Sequence, residues 1–259
     1  MVTARSRSRY RDTVASSAVQ PTADPAGGTP SSRPGPVIGV GRPPWWVLVL
    51  SALVTLGVTI DLLNQGWLEH ADVAVSDVVK GWDLRHSDAY WGVWVFTQAG
   101  GRGFILIVLA GLVGWLAVRR RTLVPLFRVL VALALLTAVV YAFKWGTGRT
   151  APAYPGSFFH REGASYPSGH VANAVLMWGV ARWTVVEYGL APWTQRSAWL
   201  LSVLGPLATG VAMVALDFHW VTDAVVGLAV GLLLLGVVHA LDTLVVSRWP
   251  RARAGRSEH

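Results

Sequence analysis

The residues of this chain best suited to chemistry centre on a Pro-Ser-Gly-His turn at positions 167–170, which opens a long apolar run. Pro167 suits a helix start, Ser168 is a good N-cap, and Gly169 lets its N–H approach a ligand closely. A helix N-terminus has free N–H groups and a partial positive charge, so it favours an anion. His170 adds an acid–base group. The turn indicates a phosphate site, although an ordinary helix start fits these residues equally well.

A second candidate pair lies further along the chain. His219 and Asp223 are four residues apart, at the start of another apolar run. On a helix this spacing places both side chains on one face. A carboxylate beside an imidazole fixes its tautomer and stabilises its cation, so the other ring nitrogen is available to attack. The alternative is an interfacial histidine next to a carboxylate that is bound elsewhere.

Cationic residues lie at the end of an earlier apolar run, where Lys144 is followed five residues later by Arg149. Ionisable groups at membrane depth are costly, so they are functional candidates by default. Each residue alone would also serve as an anchor that reaches toward the interface. Their occurrence together with the two histidines, all at one predicted side of a membrane, favours a shared phosphate site.

The elements that must position these residues are apolar. The 259 residues are 53% hydrophobic and 14% charged and include no cysteine. This composition is typical of a polytopic membrane protein, and it excludes disulfide and thiolate chemistry. We predict an all-α fold with six transmembrane helices, each long enough to cross about 30 Å of hydrocarbon when adjoining helical residues are included. The predicted spans are 45–63, 104–118 (led by 91–96), 122–144, 168–188, 196–216 and 220–246.

The polar segment between the first two spans contains one more predicted helix. Apolar residues recur there at helical spacing opposite a polar set. This pattern predicts a short amphipathic helix on the outer membrane surface. The apolar face comprises Ala71, Val75, Val78, Val79 and Trp82, and the polar face Asp72, Ser76, Asp77 and Lys80.

The formal charge of +8 is concentrated in two tails. Residues 1–44 have a net charge of +4 and residues 247–259 a net charge of +3. We predict a disordered basic tail at 1–42, a six-span domain at 43–246 and a basic tail at 247–259. The positive-inside rule makes both termini cytoplasmic and the candidate site outward-facing. The tails suit anionic lipids; without a binding module, nucleic-acid binding is not expected.

In order and spacing, these residues resemble the type 2 phosphatidic acid phosphatase superfamily, which includes the vanadium haloperoxidases. Its motifs are Lys-x6-Arg-Pro, Pro-Ser-Gly-His and Ser-Arg-x5-His-x3-Asp. The chain keeps Lys144 and Pro152, the whole second motif, and then His219 and Asp223. Two motif arginines are absent, because Ala151 and Ala212-Met213 stand in the corresponding places. The similarity covers about residues 60–245 and indicates the bacterial integral-membrane lipid phosphatase branch.

The resemblance implies a role for each matching residue. His219 would be the nucleophile, Asp223 would orient it, and His170 would act as general acid and base. The phosphoryl oxygens would be held by Lys144, Arg149, Ser168 and Gly169, with Arg161 and Arg102 as further candidates for the missing cations. Neither a metal nor another cofactor is expected.

The function implied is metal-independent hydrolysis of a lipid phosphomonoester or pyrophosphate through a phosphohistidine, in the bacterial plasma membrane. Phosphatidate, phosphatidylglycerol phosphate and polyprenyl pyrophosphate all fit, so the expected partners are a lipid phosphate substrate and membrane lipids. Two alternatives stay open. One is a lipid phosphotransferase, in which an alcohol replaces water. The other is a membrane protein that binds lipid phosphates and is catalytically weakened by the loss of the two arginines.

Overall fold

The computed structural model describes residues 41–154, 156–160 and 163–246, with side chains to residue 244. The regular structure of this part is helical, apart from one isolated β-bridge between Arg149 and Phe159. The predicted all-α class is therefore confirmed. The basic segments 1–40 and 247–259 and the candidate Arg161 lie outside the described residues. The helices are α1 (Trp45–Leu63), α2 (Trp67–Gly81), α3 (Tyr90–Thr97), α4 (Arg102–Arg120), α5 (Val124–Thr147), α6 (Gly169–Glu187), α7 (Pro192–Ala215) and α8 (Val221–Val246), with a 3-10 turn at Leu84–His86.

Five of the described helices are long and apolar enough to cross a membrane: α1, α4, α5, α7 and α8. Their outward surfaces carry large apolar side chains, such as Leu53, Ile107 and Val211, which are 61%, 74% and 71% exposed. Water would make such a surface costly, whereas hydrocarbon would not. Five of the six predicted spans thus correspond to helices of suitable length and composition.

Helix α6 covers the fourth predicted span but is less apolar than the five, since it includes Asn173, Arg182 and Glu187. It packs against α4, α5, α7 and α8, and most of its residues are buried. Its polar groups bind protein rather than lipid: Asn173 Nδ2 donates to the Gly100 carbonyl at 2.8 Å, and Trp178 Nε1 donates to the Ala99 carbonyl at 2.8 Å. A helix enclosed in this way needs no continuous apolar surface.

Two glycines set the position of the first turn of α6. A Cβ at Gly100 would lie 2.4 Å from the His170 carbonyl oxygen, and a Cβ at Gly227 would lie 2.6 Å from the Ser168 carbonyl oxygen. Both distances are shorter than any normal contact, so only glycine permits this approach. The start of α6 is therefore confined by the segment before α4 on one side and by α8 on the other.

The predicted amphipathic helix is α2, and two residues of its polar face point into the protein together with Val79 of the apolar face. Asp72 and Ser76 are buried, whereas Val78 and Trp82 are 59% and 57% exposed. The buried face packs against α1, α7 and α8. The structure thus gives α2 a packing role for which the sequence pattern provided no signal.

A buried ionic cluster lies at the end of the bundle opposite the start of α6. Arg128, near the start of α5, donates to Asp242 of α8 from Nε at 2.7 Å and to Glu187 of α6 from Nη1 at 2.5 Å. Its guanidinium carbon lies 3.9 Å from the ring centroid of Trp183, and Gly41, just before α1, lies beside the same residue. The start of α1 and the end of α8 are therefore at the same end of the bundle.

Candidate active site

Residues from all three motif segments meet in one cavity of about 600 Å³ at the end where α6 and α8 begin and α5 and α7 end. Of the predicted residues, Lys144, Gly169, His170, His219 and Arg102 line it. Gly169 is the first residue of α6, so the cavity lies at a helix N-terminus. Two imidazoles, two flexible cations and a helix N-terminus around one space suit a phosphate group.

His219 and Asp223 form the pair that their spacing predicts. His219 Nδ1 lies 3.1 Å from Asp223 Oδ2, and the Asp223 carboxylate is 0% exposed. The same oxygen accepts the backbone N–H of Trp220 at 3.2 Å. With a carboxylate next to it, Nδ1 carries the proton, and the lone pair of the ring then lies on Nε2.

Ser165 is a member of this network that sequence reasoning missed. Its hydroxyl donates to Asp223 Oδ2 and lies 3.1 Å from His219 Nδ1. Its own N–H donates to the Arg149 carbonyl at 2.9 Å, which fixes the loop before α6. The signal available in the sequence was its position two residues before Pro167, but a serine in a polar loop gives no indication of its partner.

The turn between α7 and α8 holds His219 in place. Asp217 has a φ of +56°, which is the left-handed region that few residues other than glycine adopt. Ser76 of α2 donates to Asp217 Oδ1 at 2.8 Å, and Arg85 Nε donates to the Leu216 carbonyl at 2.6 Å. The tight turn is therefore held by side chains from the segment between α1 and α3.

Arg149 does not line the cavity, which differs from the predicted contact with phosphate. It is 1% exposed, and both terminal nitrogens bind carboxylates. Nη1 donates to Asp223 Oδ1 at 2.7 Å, and Nη2 donates to Asp72 Oδ2 at 2.7 Å. Two buried carboxylates need a cationic partner, and together they occupy both terminal nitrogens of this guanidinium. These nitrogens are therefore not directed at a group in the cavity. Arg149 supports Asp223 from the side away from the cavity.

The two cations that do line the cavity come from different helices. Lys144 is near the end of α5, and its Nζ donates to the Ala164 carbonyl at 2.5 Å. Arg102 is the first residue of α4. Ala151, which stands where the first motif of the resembled family has arginine, also lines the cavity. Met213, where the third motif has arginine, is 4% exposed and packed in the core.

Ser168 occupies the N-cap position of α6 without capping it through its side chain. Its hydroxyl is buried and has no hydrogen-bond partner among the described residues, and it is not part of the cavity lining. Its N–H donates to the Asp223 carbonyl at 2.9 Å. That bond links the second and third motif segments through their backbones.

Tyr166 attaches the same loop to α1. Its phenol lies 2.7 Å from Thr59 Oγ1, whose own hydrogen is donated to the Thr55 carbonyl, so Tyr166 is the donor. Burial raises the pKa of Tyr166 to about 12, which keeps the phenol neutral.

No group of three His, Asp or Glu side chains that could hold a metal ion occurs within the described ranges.

The comparisons with known proteins agree with this architecture. Residues 125–245 match the model of the PAP2 superfamily. The chain also resembles the crystal structure of a transmembrane PAP2-type phosphatidylglycerolphosphate phosphatase from Bacillus subtilis, with a TM-score of 0.55 and 20% identity over 78% of this chain and 96% of that one. No curated protein gives a significant match. Residues 125–245, which contain every motif segment, are therefore similar to the PAP2 superfamily, as the sequence motifs predict.

Proposed function

We propose that this protein is an integral membrane phosphatase that hydrolyses a phosphomonoester or pyrophosphate of a lipid. The observation that carries the proposal is the cavity lined together by His170, His219 and Lys144, with His219 bound to a buried Asp223. A nucleophile with its orienting carboxylate, a second imidazole and a cation are the groups that phosphoryl transfer through a covalent intermediate needs. The apolar surfaces of the surrounding helices favour an amphiphilic substrate.

The chemistry proceeds in two steps. Nε2 of His219 attacks phosphorus while the bond from phosphorus to the leaving oxygen breaks, and His170 gives its proton to that oxygen. Asp223 stabilises the positive charge of the phosphorylated imidazole through Nδ1–H. His170 then takes a proton from water, whose oxygen attacks phosphorus, so inorganic phosphate leaves and His219 is regenerated.

The phosphoryl oxygens are held by Lys144, Arg102 and the N-terminus of α6 at Gly169. These groups line the cavity, and preorganised donors of this kind stabilise the charge that develops in the transition state. Arg102 takes the place of a missing motif arginine in this scheme. Ser168 and Arg149 act on the geometry of the site from outside the cavity rather than as contacts of the substrate.

In the membrane, α6 would be the fourth of six spans, shielded from lipid by its neighbours, and α2 would lie at the outer interface. Both termini would then be cytoplasmic and the cavity would face outward, as the positive-inside rule favours. The chain contains no cysteine, so single introduced cysteines report topology without a background signal. A membrane-impermeant maleimide should label Ser157→Cys in intact spheroplasts and should label Arg120→Cys only after lysis. The reverse pattern would contradict this orientation.

Phosphate release by the purified protein in detergent tests the function. The substrates are phosphatidate, phosphatidylglycerol phosphate and a polyprenyl pyrophosphate, with His219→Gln as the inactive baseline. Adding an alcohol acceptor and analysing the lipid products separates hydrolysis from phosphotransfer. A wild-type protein that binds these lipids but turns over none of them would support the catalytically weakened alternative, for which the absence of arginine at Ala151 and Met213 is the specific reason.

A further inference from the structure

The network behind His219 extends beyond the motif residues to Asp72 on α2. Asp72 belongs to no motif of the chain and precedes Thr222 by 150 positions, yet it is only 2% exposed and both of its carboxylate oxygens accept hydrogen bonds. Oδ2 accepts from Arg149 Nη2 at 2.7 Å and from the hydroxyl of Thr222, and Oδ1 accepts from the Thr222 N–H at 3.0 Å. Thr222 is the residue before Asp223, so Asp72 contacts both Arg149, which binds the orienting carboxylate, and the chain neighbour of that carboxylate.

The charges of this network do not cancel. Two carboxylates, Asp72 and Asp223, share one guanidinium, that of Arg149. The buried sum is one negative charge, and the group next to it that becomes positive during the proposed reaction is His219. A charge in such a dry environment is costly unless it is compensated nearby. In the proposed reaction, the imidazole ring of phosphorylated His219 becomes positive and supplies the compensating charge.

We propose that Asp72 is a positioning residue for the nucleophile. It holds Arg149 against Asp223 and takes up part of the guanidinium charge, so that Asp223 keeps its negative character toward His219. Without Asp72, the ion pair of Arg149 and Asp223 is neutral as a unit, and the phosphorylated imidazole loses its net counter-charge. The inference rests on the proposed function, since it assigns a role within that reaction.

The test compares Asp72→Asn with Asp77→Asn on the same helix, where the side chain is exposed. Phosphate release is measured from p-nitrophenyl phosphate and from phosphatidate in detergent, together with the thermal unfolding midpoint of each variant. We expect Asp72→Asn to lower kcat about 10- to 100-fold, the range seen when a group that orients a reacting side chain is removed, with KM within about twofold. Asp77→Asn should match the wild type.

A gentler pair of variants keeps the test valid should Asp72→Asn fold poorly. Thr222→Val removes the hydroxyl that joins Asp72 to Arg149 with little change of shape, whereas Thr222→Ser retains it. We expect kcat to fall in Thr222→Val and to be restored in Thr222→Ser. A purely structural role would lower the unfolding midpoint without this split between kcat and KM.

The outcomes separate this inference from the proposed function. An active wild type with equal kcat in Asp72→Asn and Asp77→Asn overturns the inference alone. A wild type that releases phosphate from neither compound nor from any lipid phosphate overturns the proposed function, and the positioning role falls with it. A loss confined to KM would also count against Asp72 acting through the nucleophile.

Discussion

Arg149 donates to Asp223 at 2.7 Å in an ion pair in which neither side chain is more than 1% exposed. Breaking a buried pair of this kind typically costs about 3–5 kcal/mol, because a charge is left without its partner. Arg149→Met should therefore lower both the stability of the protein and its turnover. Arg128→Met is the matched comparison, since Arg128 also joins two carboxylates, Glu187 and Asp242, at the other end of the bundle.

Thermal unfolding in detergent and turnover per folded molecule distinguish the two variants. Both should unfold at lower temperature, but turnover should fall only in Arg149→Met. Equal turnover in the two variants would contradict the assignment of Arg149 to the support of Asp223.

The cations that line the cavity should contribute directly to catalysis. Lys144→Ala should lose about 100- to 1000-fold in kcat/KM, which is the usual effect of removing one donor to a developing charge. Arg102→Ala should change kcat/KM in the same direction. Arg120→Ala, at the exposed far end of the same helix, is the control. Unchanged kcat/KM in Arg102→Ala would exclude Arg102 as a phosphate ligand and make Arg161 the next residue to substitute.

The proposed intermediate can be trapped chemically. Brief reaction with a radiolabelled lipid phosphate, followed by denaturation, should leave label on the wild-type protein that is lost in acid and retained in alkali. His219→Gln should remain unlabelled because the nucleophile is gone. His86→Gln should label normally, since that ring is exposed and lies outside the cavity lining. Labelling of His219→Gln would place the covalent bond on another residue.

Ser165 should contribute to turnover through its hydrogen bond to Asp223. A hydrogen bond to a charged group is worth about 1.5–3 kcal/mol, so Ser165→Ala should lower kcat on the order of 10- to 100-fold. Ser157→Ala, in the same loop but exposed, should behave as the wild type. Steady-state kinetics on a soluble phosphate ester would measure both, and a wild-type rate in Ser165→Ala would remove this residue from the network.

Metal removal and a phosphate analogue test the chemistry of the step. Because the side chains that line the cavity supply the cations, activity should survive EDTA, and orthovanadate should inhibit by adopting the geometry of the transferred phosphoryl group. The assay is phosphate release before and after chelation. A requirement for added magnesium would point to a different mechanism.

Whether the sequence predicts a contact in this site depends on how far apart the two residues are along the chain. The pairing of His219 with Asp223 is local, so helical spacing alone predicted it. The meeting of Lys144 and His170 with that pair followed from the alternation of the spans. The partnership of Arg149 with Asp72 joins residues 77 positions apart, and no periodicity encodes it. Asp72 lies on the polar face of an amphipathic pattern, which sequence reasoning assigns to solvent or to the interface.

The fold shows the same division. The ends of α1 and the start of α5 follow from apolar length and from Pro125, which a first turn tolerates. The shielding of α6 does not, because its burial is produced by neighbours whose arrangement the sequence does not state. Its polar residues lower the mean hydropathy of the helix, whereas in the structure Asn173 binds the Gly100 carbonyl and Glu187 binds Arg128 of α5.

The two glycines that confine the start of α6 have a consequence for how this protein tolerates change. In a saturation-mutagenesis library, Gly227 should accept almost no replacement, although its α-carbon faces a neighbouring backbone rather than a substrate. Gly100 should be equally intolerant. By contrast, Gly57, Gly111 and Gly114 have open space around them and should accept alanine freely. A selection for activity should therefore retain glycine at the two positions that contact the backbone of Ser168 and His170.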